Sequence, residues 1–303
     1  MAYIVCAAKK LLKIPIIMVI LDAICERQTL FVCFPVCPAP RVIKISTDID
    51  VRGVTSVDDE LFVLLGRNNN QVAVYSINDY QLLRHLNLPR LKPDYFNDMT
   101  SCVRHKCLYM SDCGNRRIHR YHLASSAIRK WSVPGKPCGL SVTPSCNLLV
   151  TCREPNKLVE LSADSGQCVR EIALQPDIVR PCHGVQLTTS QYVVCDGAGL
   201  NDLHRVCLVD DDGRETHSYG AQCGSDVGQL NCRYHLAVDK DSQFIFVANF
   251  VDDRVALLSP TLDFVRYVIS EGLPGTRRLH LHQATRRLFV GQSYGDGVTV
   301  IQL

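Results

Sequence analysis

Any chemistry in this chain has to come from its cysteines, its histidines and a few acidic side chains. The 16 cysteines are scattered with no CxxC pair, and the closest two are Cys33 and Cys37. Structural zinc modules take their ligands from tight CxxC-like turns, so neither a zinc ribbon nor a RING is spelled out. Cys107, Cys152, Cys195 and Cys207 lie inside apolar runs, where a reduced thiol serves as a small buried hydrophobe. That usage favours a reducing compartment, and a cytoplasmic location is expected. His183 and His235 stand near the starts of apolar runs, and His280 and His282 alternate with Leu279 and Leu281. No Ser/His/Asp grouping and no phosphate-cradling glycine loop stands out.

The overall balance sets limits on partners. Apolar residues make up 47% and charged residues 21% of 303 positions, which excludes a mostly disordered chain, a collagen and a coiled coil. The length allows two domains or one large β architecture. Net charge is only +3, so no global polycation draws the protein to nucleic acid or an anionic membrane. Basic clusters at Arg104-His105-Lys106, Arg277-Arg278 and Arg286-Arg287 read as solvated turns.

The first 40 residues read as an extension. Lys9 and Lys10 precede an apolar run from Ile14 to Leu21 that contains Pro15 and ends at Asp22. A signal peptide has that order, but a small-x-small cleavage site is missing. The run falls far short of the roughly 20 residues that span a bilayer. Residues 1–40 are therefore expected to be signal-like or poorly ordered, and secretion follows only in the first case. Pro38 and Pro40 mark the boundary with a folded domain over 41–303.

That domain is repetitive. Six apolar runs recur, each followed by a Gly/Asn/Asp-rich turn and a second apolar run. Val63, Met110, Val150, Val194, Val247 and Val290 are equivalent positions, spaced 40 to 53 residues apart. That period matches one four-stranded propeller blade per repeat. In the fifth unit, His235–Asp239, Phe244–Asn249, Arg254–Leu258 and Asp263–Val268 read as the four strands, innermost to outermost. No stretch carries a sustained helical period, so the chain is all-β. The sixth unit ends at Leu303 without its outermost strand, while Arg41–Thr47 alternates like a strand with nothing local to pair with. This orphan is predicted to complete the last blade and close the ring.

The turn between second and third strands carries a family likeness. Met110-Ser111-Asp112-Cys113-Gly114-Asn115-Arg116-Arg117-Ile118 resembles the NHL-repeat pattern, and Val247–Val255 repeats it with Asn249, Asp252 and Arg254. The likeness is good in the second and fifth units, fair in the third and sixth, and poor in the first and fourth. Trp-Asp, Gly-Gly and YWTD signatures are absent, which disfavours WD40, kelch and receptor propellers. Asp112, Asn115, Asn249 and Asp252 are expected to cap these turns through backbone amides, and Arg254 to bridge to an Asp.

The resemblance, to the propeller of tripartite-motif NHL proteins without RING or B-box, implies a six-bladed propeller serving as a recognition platform. Its expected partner is a protein, bound by a monomeric propeller on the face of second-to-third-strand turns and inter-blade linkers. A link to ubiquitination would be borrowed from that partner. Arg67, Arg117, Arg153, His183, Tyr234 and Tyr294 are the candidate contacts, because Arg and aromatic side chains concentrate binding energy. RNA is the alternative. That face carries 12 basic against 13 acidic side chains by position, without the cationic excess that phosphate binding needs. A third reading comes from related propellers, lactonases and an amidating lyase, which hold calcium or zinc at the central channel. Here the starts of innermost strands offer His183, His235, Asp98 and Asn97, short of the three protein ligands plus water that catalytic zinc takes if only two histidines meet. No cofactor, no metal and no catalytic activity are expected.

Overall fold

A computed structural model describes residues 16–21, 30–35, 41–47, 49–66, 71–88, 96–197, 203–220, 224–231, 235–269, 272–294 and 297–303. The chain divides into two units, Met1–Arg41 and Val42–Leu303. In the first, Ile16–Leu21 and Leu30–Pro35 form an antiparallel hairpin with Ile16 opposite Pro35 and Leu21 opposite Leu30. No helix among the described residues is long and apolar enough to cross a membrane.

The second unit is a six-bladed β-propeller of four-stranded antiparallel sheets. Blade one runs from Val51–Val57 through Glu60–Leu65 and Gln71–Ser76 to Leu82–Asn87, innermost strand first. Blade two begins at Phe96–Cys102, blade three at Lys136–Val142, blade four at His183–Thr188, and blade five at Leu236–Val238. Blade six comprises Thr276–His282, Arg287–Gln292 and Val298–Gln302, and its outermost strand is Val42–Ile45, paired Val298 to Ile45 and Ile301 to Val42. The orphan strand therefore closes the ring as predicted, and the units with poor turn motifs, one and four, have all four strands.

The burial pattern explains why the strands read as they do. In blade two the second strand, Cys107–Asp112, is buried at every position, whereas the outermost, Ile128–Ser132, buries only Trp131. A strand covered on both faces by neighbouring blades needs a continuous apolar run, and an edge strand does not. Six hydrophobic clusters each join two adjacent blades. Phe62, Leu64 and Val72 of blade one meet Leu108 and Met110 of blade two, and Val54 and Val63 meet Phe289 of blade six. The six equivalent positions all fall in second strands, opposite Val54, Met99, Leu140, Gly184, Leu236 and Leu279 on the innermost strands.

Bulges near the starts of innermost strands then decide which side chains leave the ladder. The register slips between Phe96 and Met99, Pro137 and Gly139, and Thr276 and Arg278, which re-aims the skipped residues. At the second of these, blade four presses directly on Gly139, where a Cβ would lie 2.7 Å from the Cα of His183. Gly139→Ala is therefore expected to cost about 1–3 kcal/mol by forcing two backbones apart, read as a lower urea midpoint at unchanged m-value.

Candidate functional site

Four polar side chains from blades distant in sequence converge at one mouth of the central channel. Asp98 sits in the blade-two bulge, His183 and His235 open blades four and five, and Arg278, paired with Gly291, follows the blade-six bulge. All are buried or nearly so. Asp98 Oδ2 accepts the backbone N–H of Leu140 at 2.8 Å and faces His235 Nε2 at 3.3 Å, while Arg278 Nε lies 3.2 Å from Asp98 Oδ1. The two imidazoles stack with centroids 3.7 Å apart. Arg278 Nε also donates to the carbonyl of Arg52 at 2.9 Å. Together these bonds reach a residue in every blade.

Backbone partners assign the histidine protons. His183 Nδ1 accepts the N–H of Leu236 at 3.4 Å, and His235 Nδ1 accepts the N–H of Leu279 at 3.3 Å. An Nδ1 that accepts carries no proton, so each neutral ring keeps its hydrogen on Nε2. From there His235 donates to Asp98, and His183 donates to the carbonyl of Leu140 at 3.1 Å. Burial pushes the His183 ring down to about 3, with His235 adding to the effect. Burial likewise lowers His235, although Asp98 opposes it. Burial pushes the Asp98 carboxyl up, but His235 and Arg278 together hold it well below the usual carboxylate range.

This arrangement fits a metal poorly. Ligand atoms of Asp98, His183 and His235 lie within 4.8 Å of one another, a grouping that zinc could span. A metal-bound imidazole, however, needs its second nitrogen protonated and donating to an acceptor. Here that nitrogen faces a backbone N–H in both rings, and the Arg278 cation sits on the carboxylate. The donor set suits a hydrogen-bonded hub between blades better than a catalytic metal.

Inside the channel lies a cavity of about 380 Å³, reaching Val103, Lys240 and Ala284 on the face of first-to-second-strand turns. Ser56 Oγ and His280 Nε2 approach to 2.7 Å on its wall, the contact a nucleophile and its base would make. Burial pushes the His280 ring down to about 3. A base that weak takes up few protons at neutral pH, where a general base works best with its pKa near the operating pH. Ser101 Oγ donates to the carbonyl of Ser56 at 2.8 Å and meets Thr55 Oγ1 at 2.7 Å, so these hydroxyls join blades one and two.

The opposite face carries the second-to-third-strand turns and the linkers. In blade two Asp112 Oδ1 accepts the N–H of Asn115 at 3.0 Å, the Asn115 amide donates back to the same carboxylate, and His119 Nε2 reaches it at 2.9 Å. In blade five Asn249 Nδ2 donates to Asp252 at 2.8 Å, and Arg254 bonds both Asp252 at 2.9 Å and the carbonyl of Ser225 at 2.6 Å while covering the Tyr267 ring. Arg116 and Asp253, each just before the third strand, both take a φ of 52°, the left-handed step that tightens the turn. Blade four has the same device without the motif. Arg205, opposite Asp196 in the ladder, bonds Asp196 at 2.8 Å and Glu215 at 2.9 Å. The nine residues from Asp196 to Arg205, against five from Asp112 to Arg117 and from Asn249 to Arg254, hid it from the repeat pattern.

The candidate contacts separate on this face. Arg67 and Tyr234 lie outside the described residues. Arg117 is exposed at the start of a third strand, and Tyr294 is 66% exposed in the blade-six turn. Arg153 is half-buried, donating to the Pro181 carbonyl at 3.1 Å and to Cys182 Sγ at 2.8 Å, and so links blade three to blade four. His183 is 2% exposed and belongs to the channel hub. Sequence reasoning overlooked three exposed apolar residues on the turns and linkers of this face: Leu203, Val227 and Val251. Each breaks a polar loop, which was the available signal.

No protein-family model matches the sequence, and no curated protein matches it. Solved structures do resemble the fold. A streptogramin B lyase superposes with a TM-score of 0.60 at 10% identity, over 86% of this chain and 97% of that one. The virginiamycin B lyase of Staphylococcus aureus gives 0.60 at 11% identity, over 87% and 99%. The hydrazine synthase of Kuenenia stuttgartiensis gives 0.60 at 13% identity, over 86% and 97%. At such identities the likeness concerns the propeller fold.

Proposed function

We propose that this chain is a non-catalytic, NHL-like recognition propeller that takes a protein partner on the turn-and-linker face of blades four to six. The observation that carries this reading is the set of exposed apolar side chains there: Leu203, Val227, Val251 and Tyr294, with Phe250 packed against Tyr294 at 5.5 Å between ring centroids. Solvated loops rarely place large apolar groups together on one face, and aromatic anchors dominate protein interfaces. The described cations on the same face weigh against RNA, because most of them are already engaged. Lys136 pairs with Glu154, Lys157 with Glu171, Arg205 with Asp196, and Arg254 with Asp252. Phosphate binding rests on cations whose charge is available. Two features of the channel support a non-catalytic role: imidazoles held neutral by burial, and a hub whose nitrogens are committed to backbone groups.

The test places a photoreactive amino acid at Tyr294 in the full chain, and a second probe at Leu83 on an outer strand. Covalent adducts with one protein species from Tyr294, unchanged by ribonuclease and absent from Leu83, are the expected result. Val251→Asp should reduce that adduct by about tenfold, as loss of an interface anchor of roughly 1.4 kcal/mol would. Adducts that vanish with ribonuclease would move the assignment to RNA.

A further inference from the structure

The channel cavity is a well with its mouth on the face opposite the docking face. His183 and His235, both buried in the hub, line its inner end. Lys240 and Ala284, both exposed, stand at its mouth among the first-to-second-strand turns. The wall mixes apolar side chains, Val54, Val142, Val185, Leu279 and Leu281, with the hydroxyls of Thr55, Ser56, Ser101 and Ser141. Its volume of about 380 Å³ lies within the range of small-molecule sites, which share this mixture of apolar wall and a few convergent polar groups.

The wall keeps both acceptors and a donor in reserve. Ser101 Oγ gives its proton to the Ser56 carbonyl at 2.8 Å. Thr55 Oγ1, 2.7 Å from Ser101 Oγ, therefore spends its own proton on Ser101 and retains its lone pairs. Ser141 Oγ likewise gives its proton to the Gly184 carbonyl at 2.8 Å. Gln283 Nε2 donates to the Val238 carbonyl at 3.0 Å, which fixes the amide's orientation and leaves Oε1 buried with no partner. Ser56 and the neutral His280 ring each carry one proton but share a single hydrogen bond of 2.7 Å. One proton of that pair stays free to donate.

Charge narrows the ligand. Lys240 is the one formally charged side chain in the lining among the described residues. A cation in the well would meet no carboxylate, and an anion at the hub end would lie beyond that single lysine. Either would lose its hydration without gaining a partner. We propose that the well binds an uncharged hydroxylated molecule with an apolar body, a phenol in chemical class. Its ring lies against the aliphatic wall, and a rigid ring loses less freedom on entry than an alkyl chain would. Its hydroxyl donates to a spare acceptor and accepts the proton left over by Ser56 and His280. The site is separate from the protein-docking face, so either assignment can fail alone.

The experiment titrates 2-naphthol into the full, unsubstituted chain, isotope-labelled at its alanine methyl groups and read by NMR. The methyl signals of Ala237 and Ala284, which line the well, are expected to shift saturably, while Ala73, buried where blades one and six meet, stays in place. Naphthalene should bind about tenfold more weakly, the effect of losing one good hydrogen bond. The anion 2-naphthoate and the cation 2-naphthylmethylammonium should each fall by at least about tenfold, since a charge in the well stays unpaired. Absence of a saturable shift at Ala237 would overturn the site. Equal affinity for naphthalene would remove the hydroxyl from recognition, and a charged analogue binding as tightly as 2-naphthol would overturn the ligand class.

Discussion

Asp98→Ala is expected to lower the stability of the propeller by about 3–5 kcal/mol, the usual cost of removing one partner from a buried ion pair. Two groups lose an acceptor and a third its counter-charge: the Leu140 amide, the His235 imidazole and the Arg278 guanidinium. Domains of this kind are stable by only ~5–15 kcal/mol, so urea denaturation should show a large drop in midpoint. Asp98→Asn keeps an acceptor for Leu140 and should cost less. In the double variant Asp98→Asn/Arg278→Met the stranded cation is gone as well, and part of the loss should return. The hub reading fails if Asp98→Ala changes stability by less than about 1 kcal/mol, the range of an exposed pair. That outcome would leave the Asp98, His183 and His235 grouping free for another role.

Mild acid is the second large perturbation. His183 and His280 are pushed down to about 3 by burial, and the unfolded chain takes up their protons near pH 6.5. Between these values the unfolded state binds more protons, so stability falls as pH is lowered, by about 1.4 kcal/mol per pH unit for each ring. His235 acts in the same direction. Asp196 opposes them. Burial, outweighing its pairing with Arg205, raises its carboxyl to about 6, so its contribution grows as pH falls through that value. Asp98 is held low and adds no slope until the pH approaches the ordinary carboxylate range near 4. From pH 7.5 to 5 the two histidines lose roughly 4 kcal/mol and Asp196 returns about 1.4. Urea midpoints across that range should drop accordingly. His280→Asn should flatten the profile by one ring's share, and an unchanged slope would mean that His280 is not buried neutral.

The architecture was legible because it is written in short-range patterns. Alternating apolar residues, turn residues and a recurring interval define strands and blades locally, and Arg41–Thr47 lacked a neighbour by simple count. The Asp112–Asn115 turn was equally readable, since its hydrogen bonds close within three residues. Exposure was harder to read. Arg153 looks like any loop arginine in sequence, but a bond to Cys182, 29 residues away, half-buries it. Lys157 and Arg205 are likewise spent on carboxylates across the sheet or the turn.

What the amino-acid order determined by itself is the six-bladed all-β ring, its closure by the first propeller strand, and the Asp112 cap of the blade-two turn. What only the tertiary structure decided is which polar groups meet. Asp98 and His235 are 137 residues apart, and Ser56 and His280 are 224 apart. Closing the ring brings the starts of six innermost strands to one axis. Whether a side chain there points at a neighbour, at a backbone amide or into the channel depends on sub-residue shifts in register. Alternation along a strand carries no record of such shifts, because it repeats every two residues whichever blade lies opposite.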